Sequence, residues 1–252
     1  MRETLPHDHI LPQKESRLSK KQQVAEMFNC IAERYDFMNR FLSVGIDTGW
    51  RKKAIRKLKK DNPGVILDVA CGTADMCILA CKMLNPDKLI GIDLSRQMLH
   101  VGRQKIVKEQ LTAKIELQEG DSEAIKFSNN TFDAVTVAFG VRNFENLDKG
   151  LEEIYRVLKP GAQLIVLEFS KPKNAAFRQL YNLYMGIIAP EMAGWFSKNK
   201  KAYQYLNDSA KAFPDRQQFV EILERIGFSD TECKPLSLGI CCIYCGRKPG
   251  SH

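Results

Sequence analysis

Val65-Ile-Leu-Asp-Val-Ala-Cys-Gly-Thr-Ala-Asp75 decides how the rest of the chain is read. Val65 to Ala70 is an apolar run with one acid in it, the pattern of a strand buried on both faces of a parallel sheet. Cys71 to Asp75 is a turn of small residues, and an apolar helix is predicted from about Met76 to Leu84. A strand that feeds a helix through such a turn offers unpaired helix N–H groups, and Gly72 lets the backbone approach a ligand closely. Taken alone, the pattern also suits an ordinary strand–turn–helix of an unrelated α/β protein.

The acids narrow the choice of ligand. Asp68 lies inside the strand, where a carboxylate is costly unless it is hydrogen-bonded, and Asp75 stands at the helix entrance. Carboxylates on both sides of the turn favour a cationic ligand over a pyrophosphate. Lys88-Leu-Ile-Gly-Ile-Asp93 is a second short strand ending in an acid, placed to accept hydrogen bonds from ribose hydroxyls. A positively charged nucleoside without a phosphate describes S-adenosylmethionine.

Leu67-Asp-Val-Ala-Cys-Gly-Thr-Ala-Asp75 resembles the first motif of class I methyltransferases, above all that of the ubiquinone/menaquinone biosynthesis C-methyltransferase family. Ala74 stands where that family usually has a second glycine, and Cys71 where it has a small residue, often glycine. The turn is expected to survive with slightly less room. Further stretches resemble the same family: Tyr35-Asp-Phe-Met-Asn39, followed by Gly45-Ile46 and Trp50-Arg51, and Tyr203-Gln-Tyr-Leu206 with Ser209. Tyr155 to Gly161 is widespread among methyltransferases, whereas Leu167-Glu-Phe-Ser-Lys-Pro172 is more specific. Ala138-Phe-Gly-Val-Arg-Asn143 discriminates best, because generic methyltransferases lack it. The family often has histidine at the position of Asp47.

The remaining periodicity fills in the fold. A helix is expected from Lys20, with Val24, Met27, Phe28 and Ile31 on one face, interrupted by the cluster Arg34 to Asn39. Ser95 is a plausible N-cap for a helix to Gln110. Ile115 to Gly120 reads as a third strand, Thr131 to Phe139 as a fourth and Ala162 to Phe169 as a fifth. Between the last two, a helix from Leu147 to Leu158 is closed by Lys159-Pro160-Gly161. Gln217 to Ile226 is helical, and a closing hairpin turns at Leu236 to Gly239. The expected architecture is α/β, a Rossmann-like class I methyltransferase with a mostly parallel seven-stranded sheet and a terminal antiparallel hairpin. Residues 1–19 read as a flexible tail, 20–60 as a helical cap and 61–247 as the core, with a helical insertion over 174–212 rich in aromatics and methionine.

The chain of 252 residues is long enough for one large core, and it contains no apolar run that would span a bilayer. The polar stretch Met1 to Gln23 lacks the apolar centre of a secretory signal, so a cytoplasmic location is expected. Cys77/Cys81 and Cys242/Cys245 have metal-like spacing but sit in apolar runs, so the eight cysteines read as reduced core thiols and no metal is expected. Of the net charge of +8, seven cations fall within Arg51 to Lys60. A solvated helix face, an anionic membrane surface or RNA would each suit that stretch.

The resemblance spans about residues 20 to 247 and implies methyl transfer from S-adenosylmethionine to a ring carbon of a polyprenylated quinol. Demethylmenaquinol is favoured, with the benzoquinol precursor of ubiquinone, or both, as the alternative. A tail that stays in the bilayer implies transient contact at the inner face of the membrane, and a homodimer is possible. The donor-binding candidates are Asp68, Gly72, Thr73, Asp93, Asp121 and Ser122, the last two at the adenine end. The catalytic candidates are Arg142 for the developing oxyanion, Asn143 for orientation of the acceptor, and Tyr35 and Asp36 in the lid. Arginine stays protonated, so proton loss is left between a water held by Arg142, Asp36 and Tyr35. A structural salt bridge is the plainer role for Arg142. Histidine, the usual base, is scarce: His7, His9 and His252 lie in the tails and His100 on a helix. An RNA methyltransferase is a distant rival, since cationic charge is confined to one segment, and no nucleic-acid partner is expected. A nicotinamide dehydrogenase would want a Gly-x-Gly-x-x-Gly turn, whereas Gly72 stands alone. A non-catalytic donor-binding subunit is disfavoured by acceptor-side residues that match the family.

Overall fold

A computed structural model describes residues 5–43, 45–172 and 200–250. Within them the chain runs α1 (Lys20–Leu42), α2 (Ile46–Lys57), β1 (Val65–Val69), α3 (Asp75–Leu84), β2 (Lys88–Asp93), α4 (Arg96–Lys108), β3 (Ile115–Glu119) and β4 (Phe132–Ala138). It continues with α5 (Leu147–Val157), β5 (Leu158–Phe169), α6 (Lys200–Ala212), α7 (Gln217–Ile226), β6 (Ser229–Leu236) and β7 (Cys241–Arg247). The sheet has seven strands in the order β3-β2-β1-β4-β5-β7-β6. The first five pair in parallel, and β7 is antiparallel to both β5 and β6. This is the expected sheet, ending in the expected hairpin.

Burial explains the continuous apolar runs. Leu67, Val135, Val137, Leu164 and Val166 pack on one face of the sheet with Leu151 and Ile154 of α5 and Phe219 and Leu223 of α7. Ile66, Ala134, Ile165 and Leu167 face the other way, toward Trp50 and Ile55 of α2 and Met76 and Cys77 of α3. Both faces are covered, so the central strands need no alternation. Cys71, Cys77, Cys81, Cys241, Cys242 and Cys245 are buried in these layers as small apolar side chains. The strand order reverses between β1 and β4, which opens a crevice at their carboxyl ends.

Several local expectations change. The first helix is not interrupted at Arg34 to Asn39: α1 is continuous from Lys20 to Leu42, because Met38 is fully buried and keeps the apolar stripe in phase past that cluster. Its start is fixed by a capping box in which the Ser19 hydroxyl accepts from the Gln22 N–H and the Gln22 side chain accepts from the Ser19 N–H. Lys159-Pro160-Gly161 lies inside β5, not ahead of it. The backbone turns extended at Leu158 (φ −69°, ψ 138°), which already pairs with Phe132 before the register shifts. The N-terminal stretch is not wholly a tail: Pro6–His9 form a 3₁₀ turn, with His7 fully buried edge-on to Phe213, ring centroids 5.3 Å apart. One ring packed on Phe213 and 3.6 Å from the Asp8 carboxylate achieves this without any periodicity. Of the expected insertion, Lys200–Ala212 is the helix α6; residues 173–199 lie outside the described residues.

Candidate active site

The turn after β1 is held in an unusual backbone path. Ala70, Gly72 and Ala74 all have positive φ, at 54°, 54° and 65°. Alternate left-handed residues turn successive N–H groups toward a common side, the geometry of an anion- or dipole-binding nest. A Cβ placed on Gly72 would meet nothing within 4 Å, so the backbone there faces open space. Ala74 takes the left-handed conformation despite its side chain, and the buried methyl fits because α4 presents Gly102, whose own Cβ position is only 3.3 Å from it. Asp93 at the end of β2 fastens the turn: its Oδ2 accepts from the Gly72 N–H at 2.8 Å and its Oδ1 from the Ser95 N–H at 2.8 Å. Burial pushes the Asp93 carboxyl upward, opposed by the backbone donors Ser95, Gly72 and Leu94.

A cavity opens over this turn. Its strand-end wall carries Gly72, Asp93, Asp121 and Ser122, and the end of β4 supplies Ala138, Phe139, Gly140 and Asn143. The roof is α1, through Lys21, Val24, Ala25, Phe28 and Tyr35. Lys21, Asn29 and Asp36 pin that roof. Lys21 Nζ lies 2.8 Å from Asp121 Oδ2 and 3.3 Å from Glu123 Oε2. Asn29 Oδ1 accepts from the Ser95 hydroxyl at 2.8 Å. Asp36 Oδ1 accepts from the Thr73 hydroxyl at 2.5 Å.

Six of the residues singled out in the sequence therefore line one cavity: Tyr35, Gly72, Asp93, Asp121, Ser122 and Asn143. Four do not. Asp68 is buried inside the sheet, where Oδ1 accepts from the Thr136 hydroxyl (2.6 Å) on the paired β4 residue and Oδ2 from the Cys77 thiol (3.1 Å). Burial raises its carboxyl to about 6, so it is a core group beneath the turn. Thr73 and Asp36 spend their polar atoms on each other and on Lys105 Nζ, which is 2.6 Å from Asp36 Oδ2. Arg142 is turned away from the cavity. Its Nη1 donates to Glu168 Oε1 at 2.5 Å and to the Phe139 carbonyl at 2.9 Å, and its guanidinium lies over the Phe169 ring at 5.3 Å. Arg142 is thus the buried ion pair of the plainer reading. Asp47, where the family often has histidine, accepts from the Ser43 hydroxyl at 2.9 Å and faces Arg51.

The structure adds residues that sequence reasoning missed. Lys21 and Lys105 carry no local signal, since each meets its partners only after the chain has folded. Tyr205 and Glu168 lie within motifs already noted but had no role there. Tyr205 donates its hydroxyl to Asn143 Oδ1 at 3.2 Å. Burial pushes both the Tyr205 and the Tyr35 phenols up, against the opposing charge of Arg142.

A parallel sheet closed by an antiparallel hairpin, with a carboxylate-edged cavity where the strand order reverses, is the fold of the S-adenosylmethionine-dependent methyltransferases. Among solved structures, a methyltransferase of Thermotoga maritima described as a possible histamine N-methyltransferase aligns over 89% of this chain and 99% of its own with TM-score 0.62 and 16% identity. The [4+2]-cyclase SpnF aligns over 92% and 97% with TM-score 0.61 and 17% identity, so likeness at this level shows the fold alone. The family follows from the sequence: residues 16–248 match the model of the ubiE/COQ5 methyltransferase family, and the chain belongs to it. A demethylmenaquinone methyltransferase of Bacteroides fragilis is 46% identical over 91% of this chain and 94% of its own. A ubiquinone/menaquinone biosynthesis C-methyltransferase of Geotalea daltonii is 42% identical over 91% and 97%.

The Arg142–Glu168 pair makes a measurable demand on stability. Removing one partner of a buried pair leaves the other charge uncompensated, at a cost of about 3–5 kcal/mol. Urea unfolding of Arg142→Ala is expected to show a loss of that size, and a loss below about 1 kcal/mol would contradict the pairing.

Proposed function

We propose that this methyltransferase moves the methyl group of S-adenosylmethionine to a ring carbon of demethylmenaquinol. The observation that carries this reading is that one cavity joins Gly72 and Asp93, which suit the donor, to Phe139 and Asn143 of the most family-specific segment. The names of the relatives at 46% identity support the naphthoquinol, and the name of the relative at 42% supports the benzoquinol as a second acceptor.

The lining of the cavity suits the donor. Asp93 retains acceptor capacity beyond its backbone donors, enough to take ribose hydroxyls. Asp121 and Ser122 stand at the adenine end, and the Gly72 backbone is open to close approach. When bound, S-adenosylmethionine supplies an electrophilic methyl on a sulfonium. The protein's own task is to align the acceptor ring carbon and to stabilise the quinol oxyanion that drives electron density onto it. Asn143 suits the second task. With Oδ1 accepting from Tyr205 and one Nδ2 hydrogen directed to the Phe139 carbonyl at 3.5 Å, the second Nδ2 hydrogen is left as the donor. Tyr35, like any phenol, is protonated at neutral pH, and burial pushes it further up, which suits a hydrogen-bond donor. Water takes the quinol proton. Asp36, already bound to Thr73 and Lys105, is not the acceptor of that proton.

The greasy acceptor places the enzyme at a membrane surface, on the cytoplasmic face. Among the described residues no helix is long and apolar enough to cross a bilayer. The basic stretch is split by the fold: Arg51 is buried over the Phe139 ring and Lys57 pairs with Glu232, whereas Lys52, Lys53, Arg56, Lys59 and Lys60 are exposed. Exposed cations of this kind are attracted to anionic lipid by about 1 kcal/mol each.

Two measurements test these readings. Methyl transfer from labelled S-adenosylmethionine is expected to reduced demethylmenaquinone, and Asn143→Ala should lower kcat by about 10²-fold with donor affinity unchanged. Label in RNA and in neither quinol would overturn the assignment. Binding to phosphatidylglycerol vesicles should fall more than tenfold when Lys52, Lys53, Lys59 and Lys60 are replaced by glutamine; unchanged binding would return those lysines to the role of a solvated surface.

A further inference from the structure

Lys105 sits where three elements meet, yet it does not line the cavity. It projects from α4 to the junction of α1 and the turn after β1. Its ammonium is 2.6 Å from Asp36 Oδ2 of α1, 3.3 Å from the Thr73 hydroxyl oxygen, and bound to Asp75 Oδ1 at the start of α3. Asp36 is held at both oxygens, because Thr73 donates its hydroxyl to Oδ1 at 2.5 Å. The cluster is largely withdrawn from solvent, with side-chain exposures of 24% for Lys105, 25% for Asp36 and 17% for Asp75. At that depth an ion pair is screened less by salt than a surface pair. Burial would push the Asp75 carboxyl up, but Lys105, with Arg51 and Arg40, more than reverses this and holds it below the usual range.

The cluster has something to hold. Ala70 and Ala74 occupy left-handed backbone, which is strained for a residue that carries a Cβ. A turn of that kind keeps its shape only while its surroundings impose it. Asp93 grips it from the β2 side, at the Gly72 N–H. From the opposite side the grip is the chain Thr73–Asp36–Lys105–Asp75. Asp36 also follows Tyr35 directly on α1, so the residue that anchors the helix to the turn adjoins one that roofs the cavity.

We propose that Lys105 is a positioning residue of the donor site: by binding Asp36 and Asp75 together it fastens the roof helix α1 to the strained donor turn, so that the Gly72 backbone and Tyr35 face one cavity. This rests on the reading that the cavity takes S-adenosylmethionine. Lys105 touches neither donor nor acceptor and works through Asp36, Thr73 and Asp75.

The test is calorimetric titration of the full-length protein with S-adenosylhomocysteine, alongside steady-state kinetics. Lys105→Met is expected to raise Kd for S-adenosylhomocysteine and KM for the donor about tenfold or more, while KM for the quinol moves less than about threefold. Lys105→Arg, which keeps the charge, should recover most of the affinity. Asp36→Asn should weaken donor binding in the same direction. The double variant should be no weaker than the worse single one, because both remove the same clasp. If Lys105→Met does not fold, Asp36→Asn and Lys105→Arg carry the test. A lower melting temperature with unchanged donor Kd would overturn the proposal and leave Lys105 as a stabilising ion pair; so would additive effects in the double variant. Wild-type protein that binds no S-adenosylhomocysteine would overturn the donor reading itself, and the Lys105 assignment with it.

Discussion

The Asp93 carboxylate, accepting from the Gly72 N–H on one oxygen and the Ser95 N–H on the other, is the interaction on which the site depends. It joins the end of β2 to the left-handed turn after β1, and it does so across a pair of parallel strands whose register brings Asp68 beside Gly91 and Val69 beside Ile92. The turn cannot relax to ordinary backbone without losing that contact. Its strain is offset by packing as well: α4 presents Gly102 to Ala74 and sends Lys105 to the same junction. Helix α1 then closes the space above, pinned to the ends of β3, β2 and β1 through Lys21, Asn29 and Asp36. Cavity, roof and turn are one mechanical unit.

Charge is used in two distinct ways. At the strand ends, carboxylates face the cavity and keep capacity to accept from a ligand, as Asp93 does. Beneath and behind it, charged groups are paired off and serve as internal struts. Arg142 with Glu168 joins the segment after β4 to the end of β5. Asp68 takes two neutral donors, and burial raises its carboxyl to about 6. This separation explains why a residue type suited to catalysis can stand within a few residues of the acceptor end and still not face it: Arg142 turns inward, while its neighbour Asn143 is held toward the cavity by Tyr205.

Much of this was legible in the sequence. The strands announced themselves because both faces of the sheet are covered, which leaves unbroken apolar runs such as Val137 to Phe139 and Leu164 to Leu167. Asp93 and Asp121, singled out as acids at strand ends, both line the cavity, since the end of a parallel strand has only one place to be. What could not be read was pairing across long separations. Asp36 and Lys105 are 69 residues apart, and Arg142 and Glu168 are 26 apart, so nothing local shows that their charges are spent on each other. The same limit hid Arg51, which in sequence belongs to a basic run and in the structure lies buried on Phe139. The polar cluster Arg34 to Asn39 suggested a break in α1 because the partners of Asp36, Thr73 of the donor turn and Lys105 of α4, were invisible.

Hydrogen–deuterium exchange with and without S-adenosylhomocysteine tests most directly whether the space enclosed by α1, Gly72, Asp93 and Asp121 is the donor site. Slowed exchange is expected together in residues 20–39, 70–75 and 119–123, with the α5–α7 face unchanged. Protection on that far face, with α1 and the turn exchanging as before, would contradict the site drawn here.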